Sequence, residues 1–427
     1  MMQGWLRRVR VHAGLSKLFW SLFLTCLTLA AGVAWGASQY EVPKDRRASE
    51  ILPANLISGP HFRVRNQVIA DGYMYRFTVD SDYGTFPVGG LYGLRKLVRE
   101  IQAIAALKEV RKGQAVLEGA RDKGRETLQF AANLVAAPAD TVASVPRGVA
   151  KLFGNIASGV QNPHDPRRNT VAQDVLKVSD AKRKIAYDLG VDVYSSNRAL
   201  QDELDNVGRA QALGALGVSA AIPYGGGTAV GLGTMGYTAR EVNRLLRDES
   251  PNGLRNLNEE KLVAMGVDRG LAERFLNHAV FSPRHDTVIV TCLERLSGAR
   301  GREAFIRFAL AASDEESANF FQNMAEILRY YHETVSSLQE IAVPGVLCAR
   351  AANGSVLVPY PLDYGVWSLR AERAVKNTLA DYRKGRPRAA KTELWVTGAL
   401  SPLARQQLED RGITVMENVY RRVPMMD

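Results

Sequence analysis

The sequence predicts an α+β fold that is predominantly helical, with a small N-terminal β-meander, a central helical region and a C-terminal α/β module. Three observations carry this. Apolar residues alternate with a period of two within residues 60–88. Three-and-four spacing then dominates from Leu91 to about residue 337. Short strand-like runs return after residue 341, separated by helix signals.

Before the meander lies a targeting segment. The first seventeen residues carry Arg7, Arg8, Arg10 and Lys17 and no acid, and an uncharged, mostly apolar run follows from Leu18 to Ala37. A basic start, an apolar core and a small-residue end are the three parts of a secretory signal peptide. Ala34 and Gly36 suit signal peptidase, with cleavage before Ala37. The run is also about long enough to cross a bilayer, so residues 1–36 read as a signal peptide or an uncleaved anchor. The small-residue ending favours cleavage. Export to the periplasm or cell envelope follows, or membrane anchoring if the segment is retained.

Residues 37–59 read as a linker. In the meander, Asp71-Gly72 is a hairpin turn signal. Tyr73, Tyr75, Phe77 and Val79 alternate with polar or small neighbours, and Ser81 to Gly84 turns the chain again. Helical spacing takes over at Leu91. Between 139 and 160, Val142, Val145, Val149, Leu152, Ile156 and Val160 form one apolar stripe. The meander and these helices make a unit at 60–160, and the Pro-rich stretch 161–169 marks a boundary. A helical domain spans 170–340 and contains an uncharged, Gly-rich segment at 210–239. Gly266 ends one helix and Asp268 starts the next. Ser282-Pro283 is an N-cap with proline at the first helical position. Ser313 with Glu316 spells a capping box, opening a long helix at 314–337.

The module at 341–427 begins with strands at 346–350 and 355–358, joined across Asn353-Gly354. A helix at 364–382 and a strand at 393–397 follow. Ser401-Pro402 then opens a helix that leads to a last strand at 413–416. This strand–helix–strand order favours a parallel pair.

With 427 residues, the chain has ample length for a buried core. Its net charge of +11 falls to +7 once the four basic residues of the signal are removed. That moderate excess is compatible with an anionic envelope surface. After processing, Cys292 and Cys348 remain, which allows one disulfide or two buried thiols in an oxidising compartment.

Candidate chemistry is sparse. Gly231-Leu232-Gly233-Thr234-Met235-Gly236 spells G-x-G-x-x-G, but no second strand ending in an acid follows it, so no nucleotide cofactor is expected. His278, His285 with Asp286, and His332 supply imidazole and carboxylate groups suited to metal or acid–base chemistry. Their spacings match no metal-site signature, and no metal is expected. Arg383, Lys384, Arg386, Arg388 and Lys391 form a basic loop that could bind lipid phosphate. Interleaved aromatics are missing there, and nucleic acid is not an expected partner.

The leading reading is an exported cell-envelope protein acting as a non-enzymatic binding or scaffolding component. One alternative is an exported hydrolase with a site assembled from distant residues, the four histidine and aspartate candidates first among them. Another is a lipid-surface protein using 139–160 and the basic loop at 383–391. Expected partners are an anionic envelope lipid or another envelope protein.

Overall fold

The N-terminal sheet is organised by one strand. In a computed structural model of the chain, which describes residues 39–121, 180–212, 237–383 and 391–426, the sheet uses β1 (Arg46–Arg47), β2 (Ser58–Gly59), β3 (Phe62–Val64), β4 (Gln67–Ala70), β5 (Tyr75–Ser81) and β6 (Gly84–Gly89). The long strand β5 pairs antiparallel with β6 along one edge. Its other edge is shared, β4 taking the start and β3 the end. Tyr75, Phe77 and Val79 alternate inward, as the two-residue period requires. Tyr73 does not join them. It sits in the turn, where the Asp71 carboxylate accepts the amides of Tyr73 (2.9 Å) and Met74 (2.8 Å).

The inward face packs on α3 (Gly90–Arg121), whose Leu94, Leu97, Ile101, Ile104 and Leu107 form a continuous buried stripe. Helix α4 (180–189) and α5 (Arg198–Ala212) close this core with Ile185, Leu200, Leu204 and Val207. The expected linker is in fact part of it. Two one-turn helices, α1 (Ala48–Ile51) and α2 (Ala54–Ile57), bury Ala48, Leu52 and Leu56. Each buried leucine is worth about 1.5–3 kcal/mol, so this segment is held as firmly as a core element.

The helical region comprises α6 (Tyr237–Asp248), α7 (Pro251–Ala264), α8 (Arg269–Leu276), α9 (Pro283–Glu294), α10 (Arg302–Ala309) and α11 (Glu315–Thr334). Helix α9 is buried on every side from Arg284 to Leu293. That fits its central place among α6, α7 and α11. Ser250 caps α7 by accepting the Gly253 amide (3.1 Å). One helix start here differs from the sequence reading. The cap of α11 is Asp314, which accepts the Ser317 amide (2.8 Å) while the Ser317 hydroxyl accepts the Asp314 amide (3.0 Å). Ser313 is not the cap, because the carboxylate one residue later already satisfies the first free amides. Glu316 is thereby released for another contact.

The C-terminal sheet contains β7 (Leu338–Ala342), β8 (Cys348–Ala351), β9 (Ser355–Tyr360), β11 (Lys391–Val396) and β13 (Ile413–Met416), in the order β13-β11-β9-β8-β7. Strands β7, β8 and β9 are antiparallel, whereas β9, β11 and β13 are parallel. The parallel strands are linked through α12 (Leu369–Arg383) and α13 (Pro402–Glu409). The long helix ends at Thr334, three residues short of the expected end, and an unexpected strand, β7, follows it. The helix expected from 364 starts at Leu369, because Tyr364–Gly365 (β10) pairs with Ala399–Leu400 (β12). A 3-10 turn at Val419–Arg421 leads into a C-terminal strap whose Val419, Val423 and Met426 are buried in the main core.

The described residues from Pro43 onward form one compact unit. No helix among them is long and apolar enough to cross a membrane. The segments 1–36, 139–160, 231–236 and 384–390 lie outside the described residues.

Candidate functional site

A carboxylate far along the chain fixes the start of α3. Gly90 turns out of β6 with φ +77°, which leaves the first amides of α3 without intrahelical partners. Asp363 Oδ2 accepts the amide of Tyr75 (2.9 Å), and Asp363 also accepts the amide of Leu91 (3.0 and 3.1 Å to its two oxygens). Burial pushes the Asp363 carboxyl up to about 6, against the two backbone donors that favour its charge. The loop carrying Asp363 is closed by Thr397, whose hydroxyl donates to Leu362 O (2.7 Å) and accepts from Leu362 N (2.8 Å). Gly398 permits this approach: a methyl group there would overlap the Asp363 carbonyl.

The strap is held as tightly. Met426 N donates to Glu326 Oε2 (2.7 Å), and Met426 O accepts from Arg284 Nη2 (2.7 Å) and Gln322 Nε2 (3.3 Å). Glu326 and Gln322 are fully buried on α11. Charged groups bonded to backbone at such depth are among the stronger hydrogen bonds a protein makes.

Between the α3 start, the first turns of α11, the 361–363 loop and the strap lies a cavity of about 320 Å³. Its apolar wall includes Met74, Leu91, Phe320, Pro361, Val423 and Met425; its polar wall includes Arg95, Glu316, Asn319, Asn323 and Tyr420. Glu316, Asn319 and Asn323 share a face of α11 because they are three and four apart. Glu316 accepts from Arg76 Nη1 (2.9 Å), and burial raises its carboxyl against the pull of that guanidinium. Asn319 Oδ1 is taken by His285 Nε2 (3.0 Å). Asn323 is only 6% exposed, and its Oδ1 has no hydrogen-bond partner among the described residues. The Arg95 guanidinium lies over the Tyr420 ring, 4.4 Å from its centroid. No carboxylate of the described residues is within ion-pair distance of Arg95, which feels Asp363 only at longer range.

Behind this wall α3 carries a buried charge cluster. Lys96 Nζ donates to Glu315 Oε1 (2.9 Å) and lies 3.6 Å from Asp192 Oδ2. Ser196 donates to Glu315 (2.5 Å), and Asn197 Nδ2 donates to Glu100 Oε2 (3.1 Å). Burial disfavours the Lys96 ammonium, but Glu315, Asp192 and Glu100 outweigh it and raise the group above its ordinary range. Glu315 is held down at about 2 by Lys96 and by hydrogen bonds from Ser196 and Lys96, against its own burial. Burial leaves Glu100 at about 7 despite the opposing pull of Lys96. Glu100 is therefore the member of the cluster that exchanges its proton near neutrality.

The histidine candidates do not converge. His285 is the third residue of α9. Its Nδ1 accepts the Ser282 amide (3.2 Å), so Nε2 carries the hydrogen donated to Asn319. Both ring nitrogens are occupied, and burial lowers its pKa, assisted by Lys96. His278 Nδ1 accepts from Val280 N (3.4 Å) after the end of α8. His332 Nδ1 accepts from Leu338 N (3.0 Å) where α11 gives way to β7. Asn319, which touches His285, and His332 are separated by roughly 20 Å of helix. Asp286, in the first turn of α9, is buried with Oδ1 unpartnered and its carboxyl pushed well up by burial. No group of three His, Cys, Asp or Glu among the described residues is placed to hold a metal ion.

Cys292 on α9 and Cys348 on β8 are both buried, and no disulfide joins them in this structure. They belong to separate apolar clusters. Of the basic loop, Arg383 ends α12 and Lys391 opens β11, where it pairs with Glu393 (3.2 Å). Lys384, Arg386 and Arg388 lie outside the described residues.

The sequence reading missed Arg95, Asn319, Asn323, Asp363 and Tyr420. One local signal existed: two asparagines four apart on the apolar side of the long helix, where a buried amide needs a partner. Comparison with family models, with curated proteins and with solved structures finds no match to this chain.

Proposed function

We propose that the protein is an exported cell-envelope component that acts by binding, with the cavity as its ligand site. The N-terminal meander with α3, the predominantly helical centre and the C-terminal α/β module each supply a wall. The observation that carries this reading is the cavity itself. At about 320 Å³ it is at the small end of the range for small-molecule sites, and it combines apolar walls with a few convergent polar groups. Its acids are already engaged: Asp363 holds two amides, and Glu316 pairs with Arg76. The groups left to meet a ligand, Arg95 and Asn323, hold molecules rather than transform them. The N-terminal basic and apolar segment supports the envelope location.

Two measurements test the two halves. A broad fragment library screened by thermal shift is expected to yield stabilising ligands for the parent chain and none for Asn323→Phe, which fills the cavity. An absence of hits on the parent overturns the binding role. Cell fractionation with N-terminal sequencing is expected to find the chain in the envelope, starting at Ala37. Recovery from the cytosol with Met1 intact overturns export.

A further inference from the structure

We infer that the cavity takes a small organic carboxylate that also carries an N–H donor and an apolar side chain, the chemistry of a free amino acid or a short peptide's C-terminus. This rests on the cavity being a ligand site and adds what kind of ligand it selects.

Charge bookkeeping across the cavity leads to the carboxylate. Of its charged groups, Glu316 is matched by Arg76 at 2.9 Å. Both Asp363 oxygens are aimed at the backbone of Tyr75 and Leu91. The positive end of the α3 dipole is therefore already answered by Asp363 and does not call for an anion itself. Arg95 is different. It contributes a guanidinium that stacks on Tyr420 and meets no carboxylate among the described residues. Arg95 also hydrogen-bonds the Tyr420 side chain, but a guanidinium has five N–H donors, and those remaining suit a planar, two-oxygen partner.

The N–H donor follows from Asn323. Asn323 lines the cavity, and its Oδ1 is buried without a donor. A buried acceptor left unsatisfied costs about 1–3 kcal/mol, and a ligand N–H would remove that cost. A ligand with only acceptors would leave it in place. Phe320, Val423 and Met425 supply the apolar surface. The cavity's size argues against a long acyl chain and for a body of amino-acid or dipeptide scale.

Isothermal titration of the full chain with alanyl-leucine, with its C-terminal amide and with 4-methylpentanoate tests this. Alanyl-leucine is expected to bind at least roughly tenfold more tightly than either analogue. Arg95→Gln should erase the preference for acid over amide, and Arg95→Lys should keep part of it. Asn323→Leu should erase the preference over 4-methylpentanoate. Circular dichroism confirms that each variant is folded. If the amide binds as well as the acid, or if Arg95→Gln keeps the preference, the ligand class is wrong while the cavity stands as a binding site. If none of the three probes binds but fragments do, the class is again overturned alone. If fragments fail too, the binding role falls with it.

Discussion

The carboxylate of Asp363 accepts the backbone amide of Leu91 at 3.0 Å across 272 positions of sequence. It thus caps a helix that belongs to a different part of the chain. Asp363→Ala would leave the amides of Leu91 and Tyr75 without this acceptor, at about 1–3 kcal/mol each. Denaturant unfolding should show a loss of at least about 2 kcal/mol, and Asp363→Asn a smaller one. The pH response should also change. The folded carboxyl, at about 6, binds its proton more readily than the unfolded one, at 3.8. Its contribution is then greatest below pH 4 and is lost as pH rises to 6. Asp363→Asn should remove that slope from the stability profile.

Glu100 should act in the same direction at higher pH. Its folded carboxyl lies at about 7 against an ordinary 4.5. Stability from this residue should fall as pH rises from 4.5 to 7, because the folded state holds the proton longer. His285 opposes it, since the lowered folded pKa costs stability as pH falls below 6.5. The difference between the parent chain and Glu100→Gln isolates the carboxyl. That difference should vary with pH between 4.5 and 7 and level off outside this window. A difference that does not vary with pH would show that Glu100 is ionised throughout.

The start of α11 separates two assignments of its cap. Asp314→Ala should cost about 1 kcal/mol, whereas Ser313→Ala should stay within about 0.5 kcal/mol. Equal losses in thermal melts would return the cap to Ser313.

Cys292 and Cys348 should resist modification in the folded chain. Both are buried, and burial pushes the Cys292 thiol up, away from the reactive thiolate. Maleimide labelling followed by peptide mapping should find both unlabelled until denaturant is added. Reduction should leave the melting temperature unchanged. A fall on reduction would point to a bond between them.

Local chemistry was legible in the sequence where one short segment decides it. Asp71-Gly72, Asn353-Gly354 and Ser282-Pro283 act through neighbouring backbone, and each sits where its turn or cap requires. The same logic applied to Ser250-Pro251 would have found the start of α7. A spacing of four among Ala48, Leu52 and Leu56 would have recovered the supposed linker. The cavity was not legible. Arg95, Asn323, Asp363 and Tyr420 come from four separated stretches, and only the spacing of Asn319 and Asn323 marks any of them locally. The histidines misled for the converse reason: chemically suggestive side chains were spent on backbone amides at helix ends.

The long reach of Asp363 also has a consequence in time. A ribosome that has placed Leu91 must add another 272 residues before that amide acquires its acceptor. The 361–364 loop in turn needs Thr397, and the strap that closes the cavity is later still. Nascent chains cut short before Asp363 would hold the meander and α3 with an open end, so the N-terminal half cannot mature ahead of the C-terminal half. Contacts of such sequence separation slow folding. On the export proposed above, delayed closure would keep the growing chain loose enough to be threaded across a membrane before it sets.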